Sequence, residues 1–191
     1  MPYNVHTVEC PLDRRTFLLS KRMAQNAAKR GISNSTRRKF MKIKVLFICH
    51  GNICRSTMAQ SIMTHLVKQR HADHLFYINS AATSREEIGN GPHYGTVRKL
   101  REVGIPVIPH KAVQMTKSDY EEYDYLIGMD TANIRNMQRI AGSDTDGKIY
   151  KLLTFAGSSR DVADPWYTGD FDTTYDDVLA GCSALLDYLL K

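Results

Sequence analysis

Apolar residues in this chain alternate between short continuous runs and helically spaced stripes. Residues 43–49 (Ile-Lys-Val-Leu-Phe-Ile-Cys) form a nearly unbroken apolar run, the mark of a strand buried on both faces of a parallel sheet. From Ser56 to about Gln69, Met58, Ile62, Leu66 and Val67 recur at helical spacing. Residues 75–79, 124–129 and 148–152 predict three further strands. Pro92 opens a predicted helix that Gly104 ends, and another runs from Thr131 to about Ile140. The last helix, from about Asp172 to Leu190, puts Val178, Leu179, Cys182, Leu185, Leu186 and Leu189 on one stripe. Strands separated by helices predict a three-layer α/β fold, a four-stranded parallel sheet with helices on both faces. Ligands of such sheets bind beyond the carboxyl ends of the strands. A phosphate-binding loop after the first strand is therefore the place to seek chemistry.

The composition limits the alternatives. The chain has 191 residues, 42% hydrophobic and 24% charged, which suits one globular domain plus a tail. No apolar run approaches the roughly 18 residues a membrane helix needs. The stretch from Thr16 to Ser20 is too short and basic-flanked for a signal-peptide core. Four cysteines are too few for a disulfide-built secreted domain. Charge is unevenly shared: residues 1–40 hold nine Lys or Arg against Glu9 and Asp13, a net +7, which leaves −1 of the chain's +6 for residues 41–191. The chain thus divides into a basic N-terminal extension (1–40), poorly ordered or partly helical between Arg14 and Arg30, and a folded domain (41–191). The extension lacks interleaved aromatics or a nucleic-acid module, so neither nucleic acid nor a membrane is expected as partner. A tail translated upstream of Met41 and a transit peptide remain open readings.

The loop after the first strand reads Cys49-His50-Gly51-Asn52-Ile53-Cys54-Arg55-Ser56. Successive backbone N–H groups in a tight glycine-containing loop converge on one point, and a helix N-terminus adds partial positive charge. Arg55 can grip two phosphoryl oxygens at once, and the same field favours the thiolate of Cys49. A thiolate facing a nest built for a dianion points to nucleophilic attack on phosphorus. Neither the Gly-Lys-Ser/Thr of a nucleotide loop nor the Gly-x-Gly-x-x-Gly of a dinucleotide site is present. Such a reaction needs an acid for the leaving oxygen. Asp164, in Asp164-Pro165-Trp166-Tyr167 between Gly157 and Gly169, is the best candidate. Trp166 and Tyr167 can wall an aryl group, and Asp161, Asp170 and Asp172 compete with Asp164.

Together with Ser80-Ala81-Ala82-Thr83 and Met129-Asp130, these segments resemble the low-molecular-weight protein tyrosine phosphatases, from about Lys42 to the C-terminus. The resemblance implies a phosphocysteine intermediate on Cys49 and phosphoryl binding by Arg55 and by His50, Gly51, Asn52, Ile53, Cys54 and Ser56. It implies that Asp164 is acid and then base, with Trp166 and Tyr167 against the substrate. Ser56 is expected to donate a hydrogen bond to the Cys49 thiolate, and Asn52 with Ser80 to hold the loop. Cys54 is expected to form a reversible disulfide with Cys49. No metal or other cofactor is implied. Phosphotyrosine proteins or peptides are the expected substrates.

Ile53 stands where related arginine phosphatases resemble one another in carrying threonine, which favours phosphotyrosine over phosphoarginine. Glu86 falls where many relatives place an aromatic, so an acid there either repels phosphate or selects a basic peptide. Val113 replaces the usual arginine of His110-Lys111-Ala112-Val113, a difference read as structural. Arsenate reductases share the architecture but need two further clustered cysteines; Cys10 in the tail and Cys182 on the last helix do not supply them. His71 and His74 lack a glutamate at zinc-enzyme spacing. Tyr120, Tyr123 and Tyr125 are explained by packing as readily as by modification. A cytoplasmic monomer or weak dimer is expected, the two loop cysteines fitting a reducing compartment.

Overall fold

The computed structural model describes residues 42–191, and the expectations for residues 1–40, Cys10 among them, lie outside these. Strand β1 (Ile43–Cys49) lies in a four-stranded sheet with β2 (Phe76–Ala82), β3 (Tyr125–Gly128) and β4 (Ile149–Lys151), in the order β2-β1-β3-β4. Every pairing is parallel, with Cys49 opposite Ala82 and Ile48 opposite Gly128. Helices α1 (Arg55–Gln69) and α6 (Phe171–Leu189) pack together on one face, and α4 (Thr131–Ala141) packs on the other against α3 (Lys117–Glu122). The expected three-layer parallel α/β fold is observed.

The pleat explains the apolar run in β1. Val45, Phe47 and Cys49 point into the core shared with α1 and α6, while Leu46 and Ile48 join Tyr120, Tyr123 and Met137 in the opposite layer. Both faces are covered, so alternation disappears from the sequence. Phe47 is wholly buried, and its replacement by alanine costs about 3–5 kcal/mol.

Differences from the expected elements lie in short or polar segments. β2 runs on from residue 79 to Ala82, because the small residues Ser80-Ala81-Ala82 are buried and pair along β1. Helix α2 (Tyr94–Glu102) starts after Pro92, with the His93 ring accepting from the Gly95 N–H as its cap. The predicted fourth strand is shorter and turns at Leu152–Thr154 into one 3-10 turn. The sequence reading missed α3 and α5 (Pro165–Thr168). Both are too short for an apolar stripe. They are held by caps, a capping box between Thr116 and Asp119 and the Asp164 carboxylate on the Trp166 N–H. Tyr120 and Tyr123 are buried, which gives them a packing role. No helix among the described residues is long and apolar enough to cross a membrane.

Candidate active site

β1 delivers Cys49 to the carboxyl edge of the sheet, and Arg55 opens α1. Between them the loop's carbonyls are drawn outward. Cys49 O accepts from Thr83 N (2.9 Å), His50 O from Ser84 N (3.0 Å) and Ile53 O from His93 N (2.8 Å). Of the loop's amides, the Asn52 N–H donates to Cys49 Sγ at 3.3 Å. Ser56 Oγ lies 3.1 Å from the same sulfur.

Asn52 holds this shape. Its φ of 60° is left-handed, a conformation that asparagine tolerates better than most residues. The buried side chain donates to Ser56 Oγ and Ser80 Oγ, both at 2.9 Å. Its Oδ1 accepts from His110 Nε2 (2.7 Å) and Val113 N (3.1 Å). Ser80 Oγ in turn donates to Gln60 Oε1 at 2.7 Å. Burial lowers the His110 pKa from its ordinary value.

Arg55 is 3% exposed and its guanidinium is shared by two carboxylates. Nη1 meets Asp130 Oδ2 at 2.6 Å and Nη2 meets Asp164 Oδ2 at 2.5 Å. Burial works against its charge, yet Cys49, Asp164 and Asp130 together hold the pKa above that of a free arginine. The other acids near Asp164 are engaged elsewhere. Asp161 accepts from Lys151 and Thr131, Asp170 caps α6, and Asp172 pairs with Lys99. Buried Asp177 anchors the approach to Asp164, pairing with Arg160 and accepting from the Ala163 N–H.

These groups surround a pocket of about 120 Å³ whose lining includes Cys49, Arg55 and Asp164. His50, Gly51, Ile53, Cys54, Glu86, Glu87, Trp166 and Tyr167 complete it. Trp166 is 60% exposed and Tyr167 84% exposed, so the aromatics form a rim and the sulfur a floor. Cys54 is a buried free thiol whose pKa is pushed up to about 12 by burial and then by the neighbouring Cys49 and Asp164. Cys182 is wholly buried in α6. No cluster of potential metal ligands occurs among the described residues.

The expected loop residues, Asp164, Ser80, Trp166 and Tyr167 therefore all meet at one place. Asp130, His110 and Gln60 were not assigned to the site from sequence. Only the Met129-Asp130 pair, at the carboxyl end of the third strand, carried a hint of the first.

The family profile described as "Low molecular weight phosphotyrosine protein phosphatase" matches residues 44–191. The chain is 38% identical over 151 residues to the low molecular weight protein-tyrosine-phosphatase YfkJ of Bacillus subtilis, covering 78% of this chain and 97% of that protein. The YfkJ crystal structure superposes with a TM-score of 0.75. The low molecular weight protein-tyrosine-phosphatase PtpA of Staphylococcus aureus is 37% identical over 150 residues, 78% of this chain and 95% of that one. The Drosophila arginine phosphatase structure is 28% identical with a TM-score of 0.71, covering 78% of this chain and 98% of that one.

Proposed function

As this chain belongs to the low molecular weight phosphotyrosine protein phosphatase family, we propose that it hydrolyses phosphotyrosine in protein substrates through Cys49, Arg55 and Asp164. The observation that carries the reading is the Cys49 sulfur on the floor of the pocket, with the Asn52 N–H and Ser56 Oγ directed at it. Both set a polar group against the attacking atom.

In the first step Cys49 Sγ attacks phosphorus, an S–P bond forms and the P–O bond to the tyrosyl oxygen breaks. Asp164 supplies the proton that leaves with the phenol. Arg55 and the loop's backbone amides stabilise the charge spread over the phosphoryl oxygens. In the second step a water gives its proton to Asp164 and attacks phosphorus, which breaks the S–P bond and releases phosphate and the thiolate. His50, Gly51, Asn52, Ile53 and Cys54 contribute the cradle, and Ser56 steadies the sulfur as leaving group. Ser80 acts through Asn52. Trp166 and Tyr167 flank the aryl ring. Cys54 is the partner for a protective disulfide with Cys49. The step asks nothing of a metal, since the loop and Arg55 meet the dianion.

Residues 41–191 are the phosphatase domain and 1–40 a basic extension. Two free loop thiols suit the cytoplasm, where the protein acts as a monomer or weak dimer.

Burst and steady-state phosphate release from a phosphotyrosine peptide and from a phosphoarginine substrate test the reading. The expected result is preference for phosphotyrosine, with Cys49→Ser inactive. Asp164→Ala should slow aryl phosphates with poor leaving groups far more than those with good ones. Full activity in Cys49→Ser would sink the mechanism, and a preference for phosphoarginine would overturn the substrate assignment.

A further inference from the structure

The mouth of the pocket has an unusual character for a site that receives a dianion. Two carboxylates, Glu86 and Glu87, are among its lining residues. They stand over the first half of the loop. Glu86 Oε2 lies 3.1 Å from His50 Nε2, and Glu87 Cγ would sit 3.1 Å from a Cβ added at Gly51. Glu87 accepts from Asn90 Nδ2 at 2.7 Å, which fixes its carboxylate, whereas the Glu86 side chain is 71% exposed. The rim at the Arg55 end of the loop is aromatic. Trp166 and Tyr167 follow Asp164, and Trp166 is braced edge-on by His93 with ring centroids 6.1 Å apart.

Coulomb repulsion from Glu86 and Glu87 disfavours an anionic substrate unless the substrate brings its own cation. Of the other lining residues, Arg55 is already held by Asp130 and Asp164 at the floor, and His50, 3.1 Å from Glu86, is placed to offset that carboxylate alone and not Glu87. An exposed indole face attracts ammonium and guanidinium groups. Both sides of the mouth thus favour the same chemistry. We propose that Glu86, with Glu87 and Trp166, forms a subsite for a lysine or arginine adjacent to the phosphotyrosine, so that the substrates are phosphotyrosine segments with a basic neighbour. This rests on the proposed phosphotyrosine hydrolysis and names its substrate class.

The test compares kcat/KM for three peptides differing only in the residues flanking phosphotyrosine (Arg, Gln or Glu), with wild type, Glu86→Gln and Glu86→Lys. p-Nitrophenyl phosphate, which has no flank, is run alongside. Wild type should turn over the Arg peptide several-fold faster than the Gln peptide, with the Glu peptide slowest. An exposed ion pair contributes up to about a fivefold effect, so Glu86→Gln should shrink the Arg-to-Glu ratio by about that factor. Glu86→Lys should invert the order, and the wild-type preference should fade in 0.5 M salt as screening shortens the interaction to about 4 Å. Equal rates on the three peptides, or a ratio untouched by either substitution, would overturn the subsite while hydrolysis of p-nitrophenyl phosphate kept the phosphatase reading. A Glu86→Gln defect confined to phosphoarginine would also overturn it, placing the carboxylate against the scissile residue. Absence of turnover on every substrate would remove both readings.

Discussion

Replacing Asn52 separates the two ways in which that residue shapes the loop. Its backbone sits at φ 60°, and its side chain joins Ser56, Ser80, His110 and Val113. In Asn52→Gly the backbone is at ease, but the wholly buried Ser56 and Ser80 hydroxyls lose a donor, and the part-buried Val113 N–H and His110 ring lose an acceptor. Each such loss costs about 1–3 kcal/mol, so partial entry of water leaves roughly 2–4 kcal/mol for the variant. Asn52→Ala adds a left-handed Cβ penalty of about 1–2 kcal/mol. If about 2 kcal/mol of this falls on the loop's own geometry, kcat/KM on p-nitrophenyl phosphate drops about thirtyfold, since 1.4 kcal/mol is a factor of ten. Urea denaturation and steady-state kinetics of wild type, glycine and alanine variants measure both quantities. A glycine variant matching wild type in midpoint and kcat/KM would refute the hydrogen-bond reasoning. Identical glycine and alanine variants would refute the backbone part.

Three further outcomes follow from buried groups. Native protein treated with iodoacetamide at pH 8 should carry the adduct on Cys49 and none on Cys54 by peptide mapping, because Cys54 is held as a thiol with its pKa pushed up to about 12. The raised value also has a stability sign. Unfolded Cys54 loses its proton near the ordinary value of 9.0 while the folded protein retains it, so this contribution is complete below pH 9 and is lost as the pH rises toward 12; urea midpoints that climb across this range would contradict it. Gly95→Ala should destabilise the fold by about 1–3 kcal/mol. Its Cβ would fall 2.3 Å from the Phe171 ring, which stacks on His93 at 5.3 Å; an unchanged thermal midpoint would contradict that packing.

The nucleophile and its loop were legible because their signals are local. An apolar run ends on a cysteine, a glycine permits the turn, and Arg55 opens a striped helix within seven positions of Cys49. The position of Asp164 was legible only as a candidate among four acids. What distinguishes it is a contact with Arg55 across 109 positions, and no spacing rule spans that distance. The segments of Asp130 and His110 stood out only through the family resemblance, and their contacts are hidden for the same reason, since each meets the loop only after β3 or the segment following α2 has docked. α3 and α5 are set by one or two capping side chains, a signal that exposed Thr, Ser and Asp residues give throughout the chain.

The double hold on Arg55 bears on turnover. With both terminal nitrogens occupied by Asp130 and Asp164, a phosphoryl group gains a two-pronged grip only by taking one prong from a carboxylate already seated there. The two carboxylates are similarly placed, Asp130 18% and Asp164 24% exposed, and Asp164 lies on the segment that carries the rim aromatics. Under the proposed mechanism these carboxylates are tethered competitors for the anion site. In the proposed reaction, a carboxylate returning to the guanidinium would compete with inorganic phosphate for it. Product inhibition by phosphate would then be weaker than in a pocket whose arginine has no carboxylate partner.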